Sequence, residues 1–242
     1  GGDVAHELLR SRRLVGSAGG RCQVERRADG GDGAQVCRRV EGEAQRDVPR
    51  IAYAHYRLGW TLRLVGQFED ALSHLSIAAE LFDELEELEG RARCDLEAAN
   101  ALTSLGQFEE ADELYRRVRA VFDALGHDAQ VLLSDANRAV LLARTGKLEE
   151  AAELNTSLVA RATDAEITWL VGDISNHLAR NLIELDRPTD AMAVLDAQDP
   201  EVMEKPAAVQ SAALRAKALL ATGRRAMAAR AAEDGLLLAA DA

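Results

Sequence analysis

The side chains able to do chemistry are few and scattered. Five histidines, His6, His55, His74, His127 and His177, form no HExxH motif and no other metal-ligand spacing. Three cysteines, Cys22, Cys37 and Cys94, stand 15 and 57 residues apart, so no CxxC pair exists to hold zinc or to cycle between thiol and disulfide. Cys94 opens a helical stretch whose dipole would acidify a thiol, but no base accompanies it in the sequence and it reads as a buried structural residue. Gly146-Lys147 lacks the upstream glycine of a phosphate-binding loop, the early glycine clusters complete no GxGxxG, and GxSxG is absent. No catalytic residue, metal or cofactor is expected. Among the histidines, His55 reads as a packed, hydrogen-bonded core ring, and His177 is the one beside a polar cluster, Asn176 with Arg180.

The elements that position these residues are helical. The 242 residues carry 41 acidic and 29 basic side chains, a net charge of -12, and are 48% hydrophobic but 4% aromatic, an Ala- and Leu-rich globular composition. No apolar run approaches the roughly 18 residues that span a bilayer, and the start lacks the hydrophobic core of a signal peptide. With sparse, odd-numbered cysteines, that points to the cytoplasm. An acidic total without a Lys/Arg stripe argues against nucleic acid or membrane as partner. Residues 1–48 differ: they are Arg- and Gly-rich and irregular, with thin helical patterns at Asp3 to Val15 and Ala34 to Gln45 that either pair as a degenerate hairpin or stay disordered. Pro49 is expected in the first turn of the next helix.

From 49 to 242 the chain repeats. Gly66-Gln67-Phe68-Glu69-Asp70-Ala71 recurs as Gly106-Gln107-Phe108-Glu109-Glu110-Ala111 and Gly146-Lys147-Leu148-Glu149-Glu150-Ala151, at a spacing of 40. A fourth copy starts 40 further on at Asp186 and a worn fifth at Gly223, giving units near 49–89, 90–127, 128–164, 165–204 and 205–242. Leu stands four residues before each marker (Leu62, Leu102, Leu142, Leu182, Leu219). A small residue stands seven before (Gly59, Ala99, Ala139, Ala179, Ala216) and an Ala five after. Small residues on both helices let two backbones approach, and a turn glycine takes the left-handed conformation that ends a helix. A lone hairpin cannot bury its apolar face, so repeated hairpins must stack: an all-α solenoid of about five antiparallel pairs.

The first unit, with Leu58-Gly59 and then Gly66, Phe68, Ala71 and Leu75, resembles the tetratricopeptide repeat, although His55, Leu62 and Leu75 replace its Trp, Tyr and Phe and its final Pro is absent. The 40-residue period is similar to the longer repeats of kinesin light chains, of bacterial regulators and of arrays beside CHAT protease domains. The resemblance implies a right-handed solenoid and a non-catalytic, partner-binding role on the concave face, lined by the first helix of each hairpin. It also admits a regulatory or sensor segment of a larger effector, either a CHAT-type protease or a transcription regulator.

Counting thirteen, ten, six and three residues back from each marker, the inward positions are Tyr53, Tyr56, Trp60 and Arg63, then Arg93, Leu96, Asn100 and Thr103. Unit three gives Leu133, Ala136, Val140 and Ala143 with Arg144 beside them, unit four Asp173, Asn176, Arg180 and Ile183, and unit five Gln210, Ala213, Lys217 and Leu220. An aromatic entrance followed by Arg63, Arg93, Arg144, Arg180 and Lys217 suits an acidic peptide, because arginine pairs carboxylates at two points and Asn100 or Asn176 can bond a peptide backbone. The alternative is that the aromatic trio packs on the N-terminal segment and the cations are solvated surface. Two further features stand apart. The acid-rich run Glu80 to Glu89 reads as a solvated helix end. Leu236, Leu237 and Leu238 close the array without a charged cap, so either a further domain of a longer chain or self-association is expected to cover them.

Overall fold

The computed structural model describes residues 32–199 and 203–240, and its backbone is set by a turn that recurs every twenty residues. Left-handed residues fall at Gly66, Glu86, Gly106, Gly126, Gly146, Glu166 and Asp186, and again at Gly223. At each of them the same pair of hydrogen bonds closes the helix. Gly106 N–H donates to the Thr103 carbonyl (3.3 Å) and Gln107 N–H to the Leu102 carbonyl five residues back (2.9 Å). That reciprocal pair satisfies carbonyls the helix end would otherwise leave bare.

The turns separate ten helices among the described residues, with no strand. They are α1 Asp32–Leu64, α2 Phe68–Glu84, α3 Leu88–Leu105, α4 Phe108–Ala124, α5 Asp128–Arg144, α6 Leu148–Asp164, α7 Thr168–Glu184, α8 Pro188–Asp196, α9 Lys205–Ala221 and α10 Arg225–Ala240. The chain forms two units, Gly1–Gln45 and Arg46–Ala242, and the packing below concerns the second. It is an all-α array of five hairpins, α1/α2 through α9/α10.

Each second helix buries one stripe in a fixed register. In α4 the stripe is Ala111, Tyr115, Val118 and Phe122, and in α6 it is Ala151, Asn155, Leu158 and Ala162. Spacings of four, three and four keep one face inward. The invariant alanine is fully buried in the first four hairpins. Opposite it sits the small residue of the first helix: a Cβ on Gly59 would lie 2.7 Å from Leu75 Cγ and 3.1 Å from the Ala71 carbonyl oxygen. Cores are shared between hairpins; one cluster joins Ala92 and Leu96 of α3, Tyr115 and Phe122 of α4, and Val131 and Leu141 of α5. First helices of neighbouring hairpins also touch: α3 with α5, α5 with α7, α7 with α9.

Two sequence expectations are corrected. Pro49 lies inside α1 rather than in its first turn. A mid-helix proline leaves the carbonyl four residues back, that of Gln45, without its donor, and Gln45 is where the first unit ends. The acid-rich run is also not one helix end. Asp83 and Glu84 finish α2, Glu86 takes the left-handed turn at φ 56, and Glu89 is in the first turn of α3, where the helix dipole favours an acid. No glycine marks that turn, so the next helix begins at Leu88, inside the first unit as drawn from sequence. The helical patterns and glycine clusters before residue 32 lie outside the described residues.

The fourth hairpin departs from the pattern. Its second helix, α8, stops after 9 residues, ahead of Asp199-Pro200, where the residue preceding a proline is disfavoured in the α conformation. A polar chain bridges the shortfall: Asn176 Nδ2 donates to the Ala207 carbonyl (2.9 Å), Gln198 Nε2 donates to Asn176 Oδ1 (3.2 Å), and Ser211 Oγ donates to Gln198 Oε1 (2.6 Å). On α10, Leu236 and Leu237 are 72% and 67% exposed.

Glu166, at φ 57, holds the left-handed turn without being glycine. Side chains there cost roughly 1–2 kcal/mol, partly offset by the greater backbone freedom that glycine loses on folding. Glu166→Gly is therefore expected to stabilise by about 1 kcal/mol, raising the unfolding midpoint by roughly 2–4 °C. Gly126→Ala should lower it, and calorimetry on both variants checks the pair of opposite signs.

Candidate functional site

The inner surface follows from which first-helix positions the next hairpin covers. Ten residues before the second, third and fourth markers, Leu96, Ala136 and Asn176 are buried, so in these units that position faces the neighbouring hairpin rather than the groove. Asn176 is fully buried with its amide held in the chain to Ala207 and Gln198. It acts as a strut between α7 and α9. At the aromatic end Tyr53 is 56% exposed, Tyr56 packs half-buried on the Ala52–Leu75 cluster, and Arg57 stacks 4.8 Å above the Trp60 ring.

Three successive junctions between first helices can be compared because the register repeats. In the first, Arg63 of α1 meets Glu97 of α3, with Nε donating to Oε2 at 2.5 Å. Forty residues on, the equivalents of Arg63 and Glu97 are Thr103 and Asn137. There Tyr115 rises from α4, its hydroxyl donating to Asn100 Oδ1 (2.7 Å) and lying 3.2 Å from Thr103 Oγ1, and burial pushes its pKa up to about 12. The first two slots are thus filled from within, and Arg63 and Asn100 are already engaged. Arg93 likewise pairs with Glu89 on its own helix (2.5 Å).

The third junction is open. Its equivalents of Arg63 and Glu97 are Ala143 and His177, and in place of Tyr115 the sequence has Asn155. A cavity of roughly 160 Å³ lies between α5 and α7, lined by Val140, Ala143, Arg144, His177, Arg180, Asn181 and Glu184. Among the described residues neither Arg144 nor Arg180 has an ion-pair partner. Burial, and secondarily the Arg180 charge, pull the His177 pKa down to about 4, so its ring is neutral at pH 7.

Two residues of the cavity wall, His177 and Asn181, carry buried polar atoms without partners, and Asn155 of α6 carries two more. Asn155 is fully buried with neither amide atom bonded, Asn181 is 3% exposed with Nδ2 unpaired, and His177 Nδ1 has no partner. Of the described side chains, one further atom, His127 Nδ1, shares that condition. Buried polar atoms without partners cost about 1–3 kcal/mol each, so the pair in this cavity wall, His177 Nδ1 and Asn181 Nδ2, calls for an explanation.

Of the ten residues proposed from sequence, the structure therefore brings Arg144 and Arg180 together at one cavity, sets Tyr53, Tyr56 and Trp60 at the other end, and leaves Lys217 exposed on α9. Asn181 and Asn155 went unnoticed. Their signal was present as amides at register positions where the neighbouring units carry apolar residues or tyrosine. His55 is a core ring, 7% exposed, with its Nδ1 2.8 Å from His74 Nδ1. Cys94 is a buried thiol whose pKa desolvation raises to about 12, the opposite of activation. No described helix is long and apolar enough to cross a membrane.

These hairpins define a tetratricopeptide-like helical repeat fold. Solved structures share it. A Podosopora anserina protein of nearly identical TPR-like repeats, assigned as a kinesin light chain, superposes at a TM-score of 0.61 with 22% identity over 81% of this chain and 97% of that one. The Rap conjugation gene regulator of plasmid pLS20, solved in complex with the Phr* peptide, gives 0.71 with 14% identity over 90% of this chain, which spans 60% of the regulator's length. BtubC from P. vanneervenii gives 0.62 at 16% identity, over 86% and 87% of the two chains. No protein-family model and no curated protein matches the sequence.

Two outcomes test this description. Asn155→Leu places in α6 the side chain that Leu75 and Leu195 supply at the same register, and should stabilise by about 1–3 kcal/mol in urea unfolding by removing an unpaired amide. The folded protein takes up the His177 proton only near pH 4, whereas the unfolded chain takes it up near 6.5. Stability is then complete above that window and declines as pH falls through it. His177→Gln should flatten this part of the stability profile.

Proposed function

We propose that the chain is a non-catalytic interaction module that binds an extended peptide or partner segment along the inner face of its first helices. The observation that carries this reading is the third junction: the one slot of three that no side chain of the array fills, walled by Arg144 and Arg180 without counter-ions. Unpaired guanidinium groups at a partly enclosed cavity favour a carboxylate-bearing ligand, because a charge-assisted, two-point pair is stronger where water is restricted. The exposed Tyr53 and the half-buried Tyr56 and Trp60 supply an apolar anchor at the far end of the groove. Arg63, Arg93, Asn100 and Asn176 then contribute architecture, and Lys217 a flanking charge. The Rap regulator's complex with a peptide supports peptide recognition by this kind of fold. The reading is a cytoplasmic adaptor.

A second reading is favoured by the exposed Leu236 and Leu237 on α10. Apolar surface of that kind suits a stacked partner, as in a regulatory segment serving a larger effector.

Selection from a random displayed-peptide library tests the first reading. Peptides sharing one Asp, Glu or C-terminal carboxylate at a fixed position should be recovered, and the best of them should bind Arg144→Glu/Arg180→Glu at least tenfold more weakly, a change of about 1.4 kcal/mol or more. Trp60→Ala should weaken longer peptides only. Equal binding to the parent and the double variant overturns the reading.

A further inference from the structure

The first junction shows what the third lacks. There a guanidinium, Arg63, meets a carboxylate, Glu97, at 2.5 Å across the gap between two first helices. In the same register the third junction has His177 where Glu97 stands, and its cations, Arg144 and Arg180, face an imidazole instead of a carboxylate. The remaining charge in the cavity wall is Glu184, exposed and outside ion-pair range of either arginine. The wall draws on α5 and α7 alone; α6, α8 and α9, which also pack on α7, place no charged side chain in it.

Resting on the peptide-binding reading, we propose that this cavity seats a single carboxylate group and that its arrival is coupled to protonation of His177, so that binding takes up a proton from solvent. The physical chain is short. Without ligand, burial and the neighbouring Arg180 charge hold the ring neutral. A carboxylate seated between Arg144 and Arg180 neutralises that local positive field and offers the ring an anionic partner, and both effects favour imidazolium. Neutral imidazole has one N–H donor and imidazolium two, so protonation also gives the cavity another donor toward the incoming oxygen atoms. Affinity then rises as pH falls. If the bound ring regains its ordinary pKa of about 6.5 from about 4, binding is on the order of thirtyfold tighter at pH 5 than at pH 8, a range in which a glutamate ligand stays largely ionised.

The test uses the whole chain and three short probes built on Gly-Glu-Gly. One is acetylated and amidated, so that its side chain carries the sole carboxylate. The second replaces Glu by Gln and keeps a free C-terminus; the third has Gln and an amidated end. Calorimetric titration near pH 6 in two buffers of different ionisation enthalpy reads proton uptake directly, and the NMR shift of the His177 ring reads its titration. Expected are binding of the first probe or the second, uptake of a sizeable fraction of one proton, an upward shift of the His177 pKa, and loss of the uptake in His177→Gln. Which probe binds better separates a side-chain carboxylate from a chain terminus as its source. Binding without proton uptake by the unmodified protein overturns the coupling and leaves the peptide-binding reading standing. Equal binding of the third probe, or no binding of the first two, overturns the carboxylate pocket itself.

Discussion

The left-handed residue that recurs every twenty positions is the constraint on which the rest of this structure depends. A three-residue turn of fixed geometry followed by a helix of about seventeen residues returns the chain to the same rotational phase each time. The buried stripes therefore repeat in register, and the invariant alanine always meets a small residue across the hairpin. Where the turn residue is not glycine, as at Glu86, Glu166 and Asp186, the same geometry persists against its local cost. The packing of both flanking helices holds the turn in place.

A strict register also makes the junctions between hairpins interchangeable frames into which different side chains are set. One frame holds an ion pair, another a buried tyrosine with its amide and hydroxyl partners, and the third holds neither. In the third frame Ala143 stands in the register of Arg63, and Asn155 in that of Tyr115. The wall of that frame holds two buried polar atoms without partners, His177 Nδ1 and Asn181 Nδ2, and two cations, Arg144 and Arg180. A core repaired for stability alone would place Leu or Tyr at 155. The stability withheld at this junction is what supports the proposed reading of it as a binding place.

Much of the architecture was legible in the sequence because it rests on residues whose backbone roles are unambiguous. Glycines at 66, 106 and 146 and alanines five positions later define the hairpin before any contact is known. The turns at 86 and 166 were harder to read, since glutamate there gives no sign of a left-handed backbone. Pro49 misled for the converse reason: proline favours the first turn of a helix, and here the helix tolerates it internally. At the level of the site, sequence located the cations but not their partners. With 41 acids and 29 bases, many pairings satisfy the spacing rules, and Arg63 and Arg93 are neutralised by Glu97 and Glu89 while Arg144 and Arg180 are not. Asn176 was legible as an inner residue, but the partners that hold its amide, the Ala207 carbonyl and Gln198, belong to α9 and to the segment after the short α8.

The net charge bears on what such a cavity can select. A chain at -12 repels an acidic ligand at long range, yet at physiological ionic strength that repulsion decays over roughly 8 Å. Inside a partly enclosed junction the guanidinium groups of Arg144 and Arg180 act over shorter distances and with less screening. For a ligand bound there, the balance would disfavour a polyacidic tract, which the chain's net charge repels, and favour one carboxylate carried on an otherwise neutral or basic segment. On the proposed reading, long-range repulsion and short-range pairing would act together as a filter, rejecting ligands by total charge while holding one by the placement of a single anion.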